Sequence, residues 1–240
     1  MNVVTEVHSR VDVPPRYLTP WRKPFEEIIA ARLREGMTVL DVGSGRKPTL
    51  PLEGRPPNTN YVGLDLSERE LRLAGPGAYD DVVVADLSTP VSGLVGTVDL
   101  AISWQVFEHV KSLDRAFANL HSYLRRGGSL ITLFSGKWSA FGVMNQLLPN
   151  AIGNRLVERT MRRRGSSQPV FPAYYDHCSD RALRRISKDW SSVEIIPYYR
   201  AANYFHFSRF LTCIYLAYEN AAHRAQLRNL ATHYLLVARR

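Results

Sequence analysis

A mostly parallel α/β sheet is the fold class that this chain of 240 residues predicts. Three observations carry the prediction. Short apolar runs rich in β-branched residues recur without alternation, the pattern of strands buried on both faces. Their carboxyl ends carry glycine or aspartate, which suit tight turns and ligand-binding strand tips. Segments with apolar residues at helical spacing stand before and after them.

The elements follow in chain order. Residues 17 to 35 read as an approach helix with Phe25, Ile28, Ile29 and Leu33 on one face, behind an extended lead-in from Pro14 to Trp21. The first strand, Val39 to Val42, runs into Gly43-Ser44-Gly45. Those glycines permit a tight turn and let the backbone meet a ligand with no Cβ between. Pro48, Pro51, Pro56 and Pro57 come next, so any helix in this crossover is short or displaced. The second strand, Tyr61 to Leu64, ends at Asp65, and the third, Val82 to Ala85, ends at Asp86. The fourth, Leu100 to Ser103, delivers Trp104-Gln105-Val106-Phe107-Glu108-His109, with a helix beginning near Phe107. Further on, Asp180 to Ile186 reads as a helix, as does Leu211 to Ala222 with Ile214, Leu216 and Tyr218 on its apolar surface. His233 to Ala238 reads as a final strand.

Three adjacent strand ends thus offer a glycine turn, Asp65 and Asp86. A carboxylate at the second strand end is placed to accept from two ribose hydroxyls. One at the third lies where the exocyclic amine of an adenine could donate. A single aspartate there is ordinary turn chemistry; the ordered set favours a site. A dinucleotide would need a helix N-terminus against its pyrophosphate, and Pro48 stands where that helix would open. A nicotinamide oxidoreductase is therefore disfavoured.

With these residues the chain resembles the class I S-adenosylmethionine-dependent methyltransferases, of the bacterial small-molecule or saccharide type. The resembling stretches are Val39 to Gly45, Val62 to Ser67, Ala85 to Ser88, Val98 to Val110 and Leu124 to Ile131. The resemblance implies a Rossmann-like sheet of seven strands, mostly parallel, with helices on both faces, the Leu124 stretch as helix end and fifth strand, and an inserted antiparallel last strand. It implies S-adenosyl-L-methionine as cofactor, held by Asp41, Gly43, Ser44, Gly45, Asp65, Leu66, Asp86, Leu87, Trp104 and Gln105. The position after the fourth strand faces the transferred methyl group in that family, which makes His109 and Glu108 the catalytic candidates. An imidazole suits a general base near neutrality, while Glu108 can serve as the base or fix the imidazole tautomer. The alternative is that His109 only caps a helix. Tyr17 and Trp21 are candidate lid residues by the same resemblance, Trp21 suiting packing onto the sheet better.

Composition bounds the rest. The length fits one domain over residues 1–240, with 137–177 as an inserted helical and aromatic lid where substrate specificity would lie. The net charge of +9 suits an anionic partner or plain solubility. Arginines at 155, 159, 162, 163 and 164 flank an apolar helical pattern, which fits a substrate cover or a peripheral membrane contact. The polar start from Met1 to Arg16 lacks a signal-peptide core, and Cys178 and Cys213 lack zinc spacing. The cytoplasm is the expected location, with the inner membrane face open to the basic segment. Nucleic acid is not an expected partner, because Ser103 to Val106 lacks the prolines and aromatic that hold a flat base amine in relatives. Tyr174, Tyr175, His177 and His206 sit among dense aromatics and fixed polar groups, which suit a sugar ring or a phenolic one. The stretch from Phe171 to His177 resembles a segment in bacterial methyltransferases encoded near cell-envelope and polysaccharide pathways. The expectation is therefore an O-methyltransferase of a saccharide, oligosaccharide or glycolipid, with a quinone, phenolic or polyketide acceptor as the alternative and a non-catalytic cofactor-binding module as the remote one. No metal ligands are assigned; Asp176, His177 and His206 are second-choice catalytic or metal-binding groups, and the need for a metal is open. The oligomeric state is open.

Overall fold

The computed structural model describes residues 11–139, 142–143, 146, 172–205 and 207–240. Its centre is a seven-stranded sheet of order β3-β2-β1-β4-β5-β7-β6, as the resemblance implies. The strands are β1 (Thr38–Val42), β2 (Asn60–Asp65), β3 (Asp81–Val84), β4 (Val98–Trp104), β5 (Leu124–Ser135), β6 (Ser192–Tyr198) and β7 (His233–Arg239). β1 to β5 pair in parallel, and β7 runs antiparallel between β5 and β6. Strand ends β1 to β5, the end of β6 and the start of β7 therefore share one edge. The short outer strand β3 leaves Val82 and Val84 half exposed. The other outer strand carries Pro197, which an edge tolerates because one side has no ladder to feed.

Both sheet faces are covered, so the central strands read as continuous apolar runs. On one face Leu40, Val62, Ala101, Phe134 and Leu236 meet α3 (Leu113–Tyr123) through Phe117 and Leu120, and α4 (Asp180–Ile186) through Leu183. On the other, Val39, Tyr61, Ile102, Leu133 and Leu235 meet α1 (Lys23–Ala30) through Phe25 and Ile29. The crossover after β1 holds only a single 3-10 turn, Leu52–Gly54, where the prolines exclude more. A short α2 (Glu68–Arg72) follows β2, capped by Ser67, whose hydroxyl accepts from Glu70 N.

Three expectations need correction. The approach helix spans Lys23–Ala30, not 17 to 35: Pro15–Tyr17 forms one 3-10 turn, and Pro20 keeps Thr19 out of a helix. No helix opens at Phe107, since Phe107–His109 is one 3-10 turn and α3 starts at Leu113. The helix near the C-terminus, α5, spans Arg209–Arg224, not 211 to 222, and its Ile214 faces solvent. Most of the 137–177 insertion, all of 155–164 included, lies outside the described residues. Among the described residues no helix is long and apolar enough to cross a membrane.

Candidate functional site

The glycine turn after β1 is a braced loop. Gly43 has φ +69° and donates its N–H to Leu64 O at 2.6 Å, and a Cβ there would sit 2.5 Å from Val106. Gly45 has φ +52° and takes the Tyr79 hydroxyl on its carbonyl at 2.9 Å. Tyr79 can reach it because Gly63 leaves room, since a Cβ at 63 would meet its ring at 2.7 Å. Tyr79 also stacks on Tyr61 with centroids 5.9 Å apart. Asp41 is fully buried beneath the loop. Its Oδ2 accepts from Thr49 N at 2.6 Å and from the Tyr61 hydroxyl at 2.5 Å. Burial pushes this carboxyl up to about 6 against those hydrogen bonds. Asp41 thus ties the crossover segment at Thr49 to β2 at Tyr61. Arg46 closes the outer side with two hydrogen bonds to Glu70, at 2.6 and 2.7 Å.

The two neighbouring strand ends carry the other carboxylates. Asp65 is partly buried, accepts from Ser67 N at 2.8 Å, and lies so close to Gly45 that a Cβ there would be 3.5 Å from its Oδ2. Desolvation raises its pKa. Leu66 beside it is exposed, as is Asp86. Ser88 holds Asp86 through N–H and hydroxyl at 2.8 and 2.7 Å and so lowers its pKa. Leu87 is buried, and its carbonyl is fixed by Asn119 Nδ2 at 2.8 Å. The sheet therefore brings the turn, Asp65 and Asp86 into one row, as their strand ends imply.

The β4 end turns sharply. Gln105 adopts φ +58°, a conformation that strains a residue with a Cβ, and donates its N–H to Leu133 O at 2.7 Å. His109 is partly exposed, with Nδ1 3.0 Å from the Pro172 carbonyl oxygen. Glu108 points the other way, into the core. Its Oε1 accepts from the Ser135 hydroxyl at 2.9 Å, and its backbone carbonyl takes the N–H groups of Tyr174 and Tyr175. Burial raises its pKa. Glu108 thus ties β4, β5 and the 174–175 segment together. Trp104 packs on the α1 face, its ring 5.1 Å from Phe25 and 6.3 Å from Trp21.

The predicted acceptor residues scatter. Trp21 holds the centre of an aromatic group, 4.4 Å from His233 and 6.0 Å from Tyr198. Tyr17 does not face a site. It is 2 % exposed, its hydroxyl donates to Glu219, and it takes the Ala202 N–H at 3.0 Å. Tyr175 is core as well, whereas Tyr174 stays open with Lys111 Nζ 5.3 Å above its ring. His177 pairs with Asp176 at 2.8 Å, and Asp176 Oδ2 also accepts from Leu113 N at the start of α3. Asp114, Asp176 and His177 bring ligand-type atoms within 4.8 Å of one another, but the hydrogen bond to Leu113 N already occupies one of these oxygens. His206 lies outside the described residues. Sequence reasoning missed Tyr79, Ser135, His233 and the buried Arg200. Arg200 donates to Thr19 O at 2.7 Å and sits 5.6 Å from the Trp21 ring. Only Gly63 inside a strand pattern signalled any of them, since such a glycine marks a close approach.

A family model described as a methyltransferase domain matches residues 15–166. The phosphoethanolamine N-methyltransferase 2 of Haemonchus contortus, solved with S-adenosyl-L-methionine, is 14 % identical with a TM-score of 0.56, over 99 % of this chain and 56 % of that one. This chain therefore spans about half the length of the Haemonchus enzyme. An S-adenosylmethionine-dependent methyltransferase from Mesorhizobium loti is 19 % identical with a TM-score of 0.52, over 91 % and 97 % of the two chains. The [4+2]-cyclase SpnF is 16 % identical with a TM-score of 0.57, over 99 % and 92 %. Such likenesses show the fold, and a cyclase among them shows that the fold alone does not set the reaction. The braced glycine turn, the row of strand-end carboxylates and the family match agree: the chain belongs to the methyltransferase domain family and carries the class I fold of its S-adenosylmethionine-dependent members.

Proposed function

We propose that the protein is an S-adenosylmethionine-dependent O-methyltransferase acting on a hydroxyl of a saccharide, oligosaccharide or glycolipid. The cofactor supplies an electrophilic methyl group on a sulfonium. The residues present fit it: the turn approaches without a Cβ at Gly43 and Gly45, and Asp65 lies against Gly45. Asp65 would take the ribose hydroxyls, Asp86 with Leu87 the adenine edge, and the turn the amino-acid part. No helix N-terminus follows the turn, in keeping with a ligand that has no phosphate.

The observation that carries the hydroxyl reading is His109. A carbonyl oxygen only accepts, so Nδ1 is the donor to Pro172 O, and in the neutral imidazole Nε2 would then be the accepting nitrogen. A sugar hydroxyl is a weak nucleophile near neutrality, and an imidazole at the β4 end removes its proton during transfer. Glu108, through Ser135 and the 174–175 backbone, holds that turn in place. In this proposal the 137–177 insertion covers the acceptor. The rings of Trp21, Trp104 and Tyr198 favour a flat phenolic acceptor as the second reading.

Calorimetric titration with S-adenosylmethionine and S-adenosylhomocysteine, with NAD as control, tests the cofactor. Binding of the first two alone supports the reading, and no binding of either defeats it. Transfer of a labelled methyl group to envelope saccharide fractions rather than to quinones then tests the acceptor, and label on quinones alone overturns the saccharide. His109→Ala is expected to lower turnover by about 10²–10⁴-fold with cofactor affinity unchanged. An unchanged rate removes the base.

A further inference from the structure

We propose that the solvent face of α5 docks on an anionic lipid surface. The helix is amphipathic the wrong way round for a water-facing element. Its inward side holds Thr212, Tyr215, Leu216, Glu219 and Ala222, two of them polar. Its outward side holds Phe210, 72 % exposed, Leu211, and Ile214, 53 % exposed, with Phe207 at 68 % just ahead. The one acidic residue of the helix is the buried Glu219, while Arg209, His223 and Arg224 are exposed at its two ends. Water therefore meets an apolar strip flanked by cations, the make-up of a helix that lies in a lipid headgroup layer.

Charge selects this occupant. The chain carries 31 Lys and Arg against 22 Asp and Glu, which complements an anionic leaflet. Phe210 and Ile214 stand one helical turn apart with Leu211 beside them, so the strip is contiguous rather than a scatter of single residues. Placement gives the docking a purpose. The chain enters α5 from the end of β6 and returns to the start of β7, both on the sheet edge that carries the candidate site. Tyr17 is fixed to Glu219 and Ala202, so the lead-in that carries Trp21 is stapled to the same helix. A lipid-seated α5 would hold the acceptor side at the membrane boundary, where a glycolipid hydroxyl lies. Only this last step rests on the proposed function.

The test is co-sedimentation of the full chain with phosphatidylcholine vesicles, with and without phosphatidylglycerol, comparing wild type with Phe210→Gln/Ile214→Gln. Glutamine keeps helix propensity while removing the apolar surface. Wild type is expected to bind the anionic vesicles, less tightly as salt rises, and the double variant to lose roughly tenfold or more per apolar side chain removed. Its melting temperature and S-adenosylhomocysteine affinity are expected to stay unchanged. No vesicle binding by wild type, or equal binding by the variant, overturns the proposal. So does a wild-type dimer in light scattering that the variant dissociates, which makes a second copy the occupant. A variant that melts several degrees lower also overturns it, because the face is then covered by the chain itself. Loss of S-adenosylhomocysteine binding in wild type would defeat the enzymatic reading without touching the vesicle result.

Discussion

The two halves of the site edge are held by opposite means. On the β1–β3 side carboxylates are fixed by neighbours in sequence: Asp41 by Thr49 eight residues on, and Asp65 by Ser67 two residues on. On the β4–β7 side buried groups are fixed across nearly the whole chain. Tyr17 meets Glu219 over 202 positions, and Arg200 meets Thr19 over 181. The first side is acidic and laced with backbone hydrogen bonds. The second is aromatic and basic, and the Arg200 Nε and His233 Nδ1 atoms lie buried with no hydrogen-bond partner. A preformed loop spends little ordering entropy on a shared cofactor. An acceptor side built from distant pieces can be altered without disturbing that loop.

Separating the halves by mutation tests this comparison. Gly43→Val should have the largest effect, because a β-branched residue at φ +69° with its Cβ 2.5 Å from Val106 cannot be housed. A loss of about 4 kcal/mol or more in denaturant unfolding is expected, with cofactor binding abolished. Next, Glu219→Ala strands the Tyr17 hydroxyl and the Ala201 N–H, which now donates at 2.5 Å. That should cost about 3 kcal/mol of stability. Cofactor affinity per folded molecule should hold, and a matching loss of affinity would show that the halves are not separable. Asp65→Ala works in reverse: about 2 kcal/mol of cofactor binding, near thirtyfold, disappears with little change in melting. Calorimetry and thermal melts on the same samples settle both.

The difference also explains what could be read from residues alone. Strands, the row of strand ends and the missing crossover helix are local facts, visible in Val39 to Gly45 and in Pro48, Pro51, Pro56 and Pro57. Tyr17 looked like a lid residue because nothing near it names Glu219 as its partner. Glu108 and His109 are neighbours in sequence, yet in a 3-10 turn adjacent side chains point apart, and Glu108 goes to Ser135. Trp21 and His233 meet only because β7 inserts beside β5 and starts at the site edge. The residue pattern puts Ile214 on an apolar surface of α5, but such a pattern does not say which side of the helix is wet, and Ile214 faces solvent.

The smallest expected effect is on acid stability, and it sets the two halves against each other most directly. Burial holds Asp41 at about 6, above its unfolded value, so its contribution is fully present below about 4 and is lost as pH rises through 6. Burial, with the Arg200 charge beside it, holds His233 down at about 3. The folded state keeps that imidazole neutral while the unfolded chain protonates, so its contribution is present above about 6.5 and is lost as pH falls toward 3. Between pH 6 and 4.5 the two slopes oppose. Relative to wild type, Asp41→Asn should lose roughly 1–2 kcal/mol as pH falls across that window. His233→Gln should gain a similar amount, because it lacks the group that acid penalises. Urea unfolding of the three proteins at four pH values measures both differences, and shifts of the same sign would mean that the two buried groups do not titrate as opposites.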